Sequence, residues 1–129
     1  QACSPVCRVC GGAYVTQALG HCVECHSPRD RFGGLKPAML YGGDLDHAGE
    51  GTKVPNITPH GETGLGKWSE GDYADLLAAG MTPEGDFVGG DMGEVVANST
   101  SKLTADDRAA MIAYLRQLRP VDQRVRGGR

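Results

Sequence analysis

The 129-residue sequence is short of large apolar side chains. Leu, Val, Ile and Phe together supply 24 residues, about 19% of the chain, and aromatic residues make up 5%. Below roughly 20% in those four types, a chain of high net charge stays disordered. Here the formal net charge is only −3, which also removes the cationic footprint of a nucleic-acid binder. No apolar run approaches the roughly 18 residues that span a bilayer. Internal repeats and a clear two-residue strand alternation are missing as well. The chain opens on Gln1 rather than Met, which reads as a processed product or a fragment from which any export signal has gone. A chain so poor in bulk has trouble filling a core alone, and a large apolar cofactor would supply the missing volume.

What the sequence does have is glycine, 20 residues of it, and five cysteines. Three of these, Cys3, Cys7 and Cys10, lie in an N-terminal arm over residues 1–10. Residues 12–25 read as a short helix, with Tyr14, Ala18 and Cys22 on one face at i, i+4 and i+8 and with Val15 and Leu19 beside it. From Ser27 to Lys67 no period is sustained, and forty structureless residues in a compact domain suggest a chain wrapped around something. Ser69 has the character of an N-cap, with Glu70 and Asp72 in the first turn, a Tyr73, Leu76, Leu77 stripe behind it and Gly80 as the stop. Residues 81–103 read again as loop. The clearest helix starts at Thr104: Asp106 and Asp107 fill its first turn, Met111, Leu115 and Leu118 form its buried stripe with Ile112 and Tyr114 flanking, and Pro120 ends it. The division predicted is a cysteine-rich arm at 1–10, one domain at 11–120 and a basic, mobile tail at 121–129. The fold class is all-α, with three to five short helices and long loops.

Cys22-Val23-Glu24-Cys25-His26 is the pattern of covalent haem c attachment. Two thiols add to the two vinyl groups of the haem, the two-residue spacer sets their separation, and the next residue, His26, is carried beneath the iron. A thioredoxin-like CxxC would need a βαβ context, which is missing. A zinc site would need a second ligand pair, and His47 and His60 are not paired. The sixth iron ligand decides between carrier and catalyst. Met111 belongs to a helical stripe and Met39 reads as packing. Met92, in the glycine-rich GGDMGE segment, is the leading candidate because a loop leaves its thioether free to reach the iron. Met81, a histidine or an open position are the alternatives. His21 adjoins Cys22 and cannot easily reach the opposite face, and His47 and His60 read as solvated loop residues.

The CVECH segment, Met92 and the terminal AYLRQL helix resemble class I cytochromes c. GAYVTQALGHCVECHSPR, PNITP, GLGKWSEGDYADLLAAG and KLTADDRAAMIAYLRQL are similar, more narrowly, to haem domains in cytochrome subunits of periplasmic quinoprotein, flavoprotein and molybdenum-type dehydrogenases. The likeness covers about residues 12–120. The Met92-Gly93-Glu94 sequence departs from the Met-Pro-Tyr style of ligand loop usual in that family. The resemblance implies a class I cytochrome c fold wrapped around one covalent haem c. It also implies that the Pro55 carbonyl accepts the free ring N–H of His26, that Trp68 lies along the haem edge with its indole N–H near a propionate, and that Tyr14 and Tyr114 belong to a crossing of the first and last helices. Lys53 and Arg31 are candidates for neutralising propionates, with solvated surface charge as the simpler reading.

The function expected is one-electron transfer, from a periplasmic dehydrogenase to a respiratory acceptor, with no catalysis by the chain itself. The alternative is a haem enzyme or sensor with an open sixth site, peroxidase-like or gas-binding; a third is a structural haem domain within a multi-haem relay. Cys3, Cys7 and Cys10 match the spacing of a radical-type iron–sulfur site, but covalent haem points to an oxidising, extracytoplasmic compartment. One disulfide among the three is therefore expected, with the leftover thiol free or bonded to a second chain in a disulfide-linked dimer. Membrane association would come through a partner subunit.

Overall fold

The computed structural model describes residues 8–47 and 49–125. Cys3 and Cys7 lie outside the described residues; Cys10 is disulfide-bonded. Among the described residues, five α-helices and one small hairpin are distributed over two compact units, one of residues 8–20 and 68–115 and the other of residues 21–47, 49–67 and 116–125. The helices are α1 (Arg8–Tyr14), α2 (Cys22–Cys25), α3 (Glu70–Ala79), α4 (Gly90–Asn98) and α5 (Ala105–Arg116). This mostly helical architecture is compatible with the class I cytochrome c fold that the sequence resemblance implies.

In the first unit α1 runs into a π-helical turn, Val15–Leu19. Its buried face carries Gly12, Val15 and Thr16, whereas Tyr14 is 63% exposed. The buried face therefore runs through Gly12, Val15 and Thr16 rather than Tyr14, and the contact with α5 is made through Gly12; the wider π turn after Tyr14 takes the following residues off the i, i+4, i+8 spacing. A Cβ on Gly12 would overlap the Ala110 carbonyl and approach the Tyr114 Cβ to 2.9 Å. Beside this close approach the Gln17 side-chain amide donates to the Tyr114 hydroxyl at 2.7 Å. The single helix read over 12–25 also breaks. Gly20 closes the π turn onto the Val15 carbonyl, and His21 takes a left-handed φ of 52° before α2 starts.

α3 begins at Ser69 with a full capping box: Ser69 Oγ accepts from the Asp72 N–H and the Asp72 carboxylate accepts from the Ser69 N–H. Gly80, at φ 73°, ends it. α4 lies in a stretch read as loop. Gly89 precedes it, Asp91 occupies its first turn, and Val96 is its buried residue. The Thr104 hydroxyl caps α5 by accepting from the Asp107 N–H at 3.1 Å. Met111, Ile112, Tyr114 and Leu115 of α5 are buried, as are Tyr73 and Leu77 of α3. Arg108 donates to the carbonyls of Thr100, Ser101 and Leu103 at 3.2, 3.2 and 2.6 Å, and Thr100 Oγ1 donates to the Leu77 carbonyl at 2.6 Å.

The second unit is more polar inside. His26, Ser27, Asp44, Asn56 and Thr58 are buried there with Tyr41 and Val121. Its long connection contains a 3₁₀ turn at Pro37–Met39 and an antiparallel hairpin of β1 (Asp44–His47) and β2 (Thr52–Val54), paired Asp44 with Val54 and His47 with Thr52 across a bulge. Residues 121–125 do not behave as the mobile tail expected of them. Val121 is buried, and Gln123 is hydrogen-bonded to the Gly42 and Gly43 carbonyls.

Candidate functional site

α2 is one helical turn that presents Cys22 and Cys25 three residues apart, on neighbouring positions of the same face. The His26 N–H donates to the Cys22 carbonyl at 3.0 Å, so the histidine is held at the end of the turn that carries both thiols. Neither cysteine is in a disulfide, Cys25 is exposed and Cys22 half-buried. Burial pushes the Cys22 thiol up to about 11. That is the reverse of the depressed pKa of a dithiol redox catalyst. Among the described residues no three His, Cys, Asp or Glu side chains converge to hold a metal ion.

His26 is 9% exposed and fixed at both ends. Its carbonyl accepts from the Gly43 N–H at 2.7 Å. Its Nδ1 lies 2.8 Å from the Pro55 carbonyl. A carbonyl can only accept, so Nδ1 carries the proton and Nε2 is left as the lone-pair donor. Burial holds the imidazole below its ordinary pKa, with the Pro55 hydrogen bond opposing and His47 adding to the depression. A tautomer-fixed imidazole next to two thiols outside any disulfide suits covalent haem c.

The remaining residues singled out in the sequence are placed as follows. Pro55 follows β2 and makes the contact just described. In the other unit, Trp68 is half-buried and packs edge-to-face on Tyr73, with ring centroids 5.6 Å apart at 68°. Met92 is half-buried in the first turn of α4, not in a loop, so the premise that no helix constrains it does not hold. Met81 pairs with Phe87 in an isolated bridge, and Met111 is fully buried in α5, as its stripe predicts. Lys53 is exposed on β2, and Arg31 is exposed with its guanidinium 5.1 Å over the Phe32 ring. His60 Nδ1 accepts from the Glu62 and Thr63 N–H groups, and His47 Nδ1 lies 3.6 Å from Asp44. An exposed Arg29–Glu24 ion pair at 2.8 Å ties α2 to the loop behind it.

Over residues 12–119 the chain matches the cytochrome c family. It belongs to that family. Its relatives include a dihaem cytochrome c-type protein of Cereibacter sphaeroides, 41% identical over 86% of this chain and 36% of that protein. A cytochrome c subunit of a quinone-linked alcohol dehydrogenase from Gluconobacter oxydans is 34% identical, over 90% of this chain and 25% of its own length. A fructose dehydrogenase cytochrome subunit of Gluconobacter japonicus is also 34% identical, over 83% and 21%. The chain thus spans about a third or less of the length of these relatives. As a cytochrome c domain it binds haem c covalently and transfers electrons. Among the described residues no helix is long and apolar enough to cross a membrane.

Asn56, within the PNITP segment, is a further residue that packs beside the His26 contact. Its signal is the Asn-x-Thr spacing, in which an Asn oxygen takes the N–H two residues on; Thr58 N–H donates to Asn56 Oδ1 at 3.0 Å.

Proposed function

We infer that this cytochrome c carries a single haem, bound by thioethers at Cys22 and Cys25, with His26 and Met92 as its axial ligands. It takes electrons one at a time from a dehydrogenase in an extracytoplasmic compartment and passes them to a respiratory acceptor. The observation that supports this best is the fixed tautomer of His26, one residue beyond the cysteine pair. The iron supplies the one-electron couple. The chain's own residues would hold it: Pro55 keeps the His26 ring oriented and raises its basicity, and Trp68, seated on Tyr73, would offer the haem an aromatic edge. The Met92 thioether would raise the potential relative to harder donors, and with His26 and Met92 both engaged little in the chain would need to rearrange on reduction.

The haem count is tested by intact mass of the denatured protein. The expected result is one haem per chain that survives denaturation and disappears in a Cys22→Ala/Cys25→Ala double variant. Haem retained through denaturation by the double variant would contradict the attachment, and two haems on the wild type would contradict the single site.

A further inference from the structure

We propose that Asn56, working with the C-terminal strap at residues 121–123, is a positioning residue for the proximal histidine: it sets the length and direction of the His26–Pro55 hydrogen bond and so tunes the haem potential. This rests on the reading of His26 as the proximal ligand.

Asn56 is 3% exposed and fully engaged. Its amide nitrogen donates to the Val121 carbonyl at 2.7 Å and the Gln123 carbonyl at 3.1 Å, with Thr63 Oγ1 at 3.4 Å. Its oxygen accepts from both the N–H and the hydroxyl of Thr58, at 3.0 and 2.7 Å. Thr58 Oγ1 in turn accepts from the Val121 N–H at 3.0 Å. The strap also reaches the segment that holds the His26 backbone. Gln123 Nε2 donates to the carbonyls of Gly42 and Gly43, both at 3.0 Å. Gly43 N–H holds the His26 carbonyl, and Ile57 N–H donates to the Tyr41 carbonyl at 3.0 Å.

The two segments that grip His26 are therefore clamped to one another by one short piece of chain. The segment 41–43 holds its backbone and the segment 55–58 holds its ring. No slack is left between them: Gly43 sits at φ 90°, and a Cβ there would lie 2.7 Å from the Val54 carbonyl oxygen and 2.9 Å from the Pro55 carbonyl carbon. Asn56 is the next residue after Pro55, so a shift of its side chain moves the peptide that accepts the imidazole N–H. A merely structural staple could sit anywhere along this loop. This one sits one bond from the carbonyl that sets ligand basicity, and its desolvated amide has no water to fall back on.

The test uses the haem-loaded protein with Asn56→Ala, Thr58→Val and Gln123→Ala. Each should raise the reduction potential, because a weaker hydrogen bond from Nδ1 makes the imidazole less basic and favours the ferrous state. Each should also speed solvent exchange of the His26 Nδ1 proton by about tenfold, the effect of losing one or two net hydrogen bonds from the restraint. Thr104→Ala, which removes the α5 cap, should lower the melting midpoint and leave potential and exchange alone. If Asn56→Ala does not fold, the partly buried Gln123 and the near-isosteric Thr58→Val carry the test. Variants that melt earlier with unchanged potential and unchanged exchange would overturn the proposal and leave the strap a staple only. A wild type without covalent haem would instead overturn the carrier reading beneath it.

Discussion

At the scale of single residues, Met92 separates a carrier from a haem with an open sixth site. Met92 is the proposed sixth ligand, on the family resemblance and on the reading of Met39 and Met111 as packing residues, the latter fully buried in α5. Its place at the third position of α4 replaces the loop first read there. A first-turn residue has its Cβ directed toward the helix N-terminus, so its thioether starts from a fixed direction. Met92→Ala should abolish the weak long-wavelength Fe–S band of the ferric protein and lower the potential, whereas Met81→Ala should leave both nearly unchanged. Optical titration of the two variants separates them. Loss of the band on Met81→Ala would move the ligand to that residue.

At the scale of elements, the α1–α5 contact offers two neighbouring glycines with opposite expectations. Gly11 has nothing within 4 Å of an added Cβ, while Gly12 meets the Ala110 backbone. Gly11→Ala should gain up to about 1 kcal/mol from helix propensity. Gly12→Ala should lose about 3 kcal/mol by forcing α1 off α5. Denaturant midpoints read both, and a neutral Gly12→Ala would mean that this helix contact is not tight. The elements that were legible in the sequence are those specified locally. Ser69 with Asp72, Gly80, and Thr104 with Asp107 each determine a helix end within four residues. The CVECH turn is equally local. What was not legible depends on distant partners or on glycine. The helix over 12–25 breaks because His21 accepts a left-handed φ after Gly20, which no periodicity reveals. α4 starts in Gly89-Gly90, composition that reads as a turn, and the hairpin at 44–54 has strands of four and three residues, too short to show alternation. The bonds from Asn56 to Val121 and Gln123 span 65 and 67 residues and leave no mark on either segment by itself.

At the scale of the whole molecule, the shortage of bulk noted in the sequence persists in the fold. Both phenylalanines, Phe32 and Phe87, are exposed, at 86% and 70%. The buried set in the segment that carries His26 is largely polar, and its cohesion depends on the directed hydrogen bonds of Ser27, Asn56, Thr58 and Gln123 rather than on area. If haem supplies the missing bulk, the Cys22→Ala/Cys25→Ala variant should lose most of its helical circular dichroism along with its haem. The central claim, that this cytochrome c is a carrier whose iron has both axial positions filled, is tested most directly by the visible spectrum of the reduced wild-type protein before and after carbon monoxide. The account predicts no change in the wild type and a carbon monoxide complex in Met92→Ala. A wild type that binds carbon monoxide tightly and shows no Fe–S band when oxidised would contradict it.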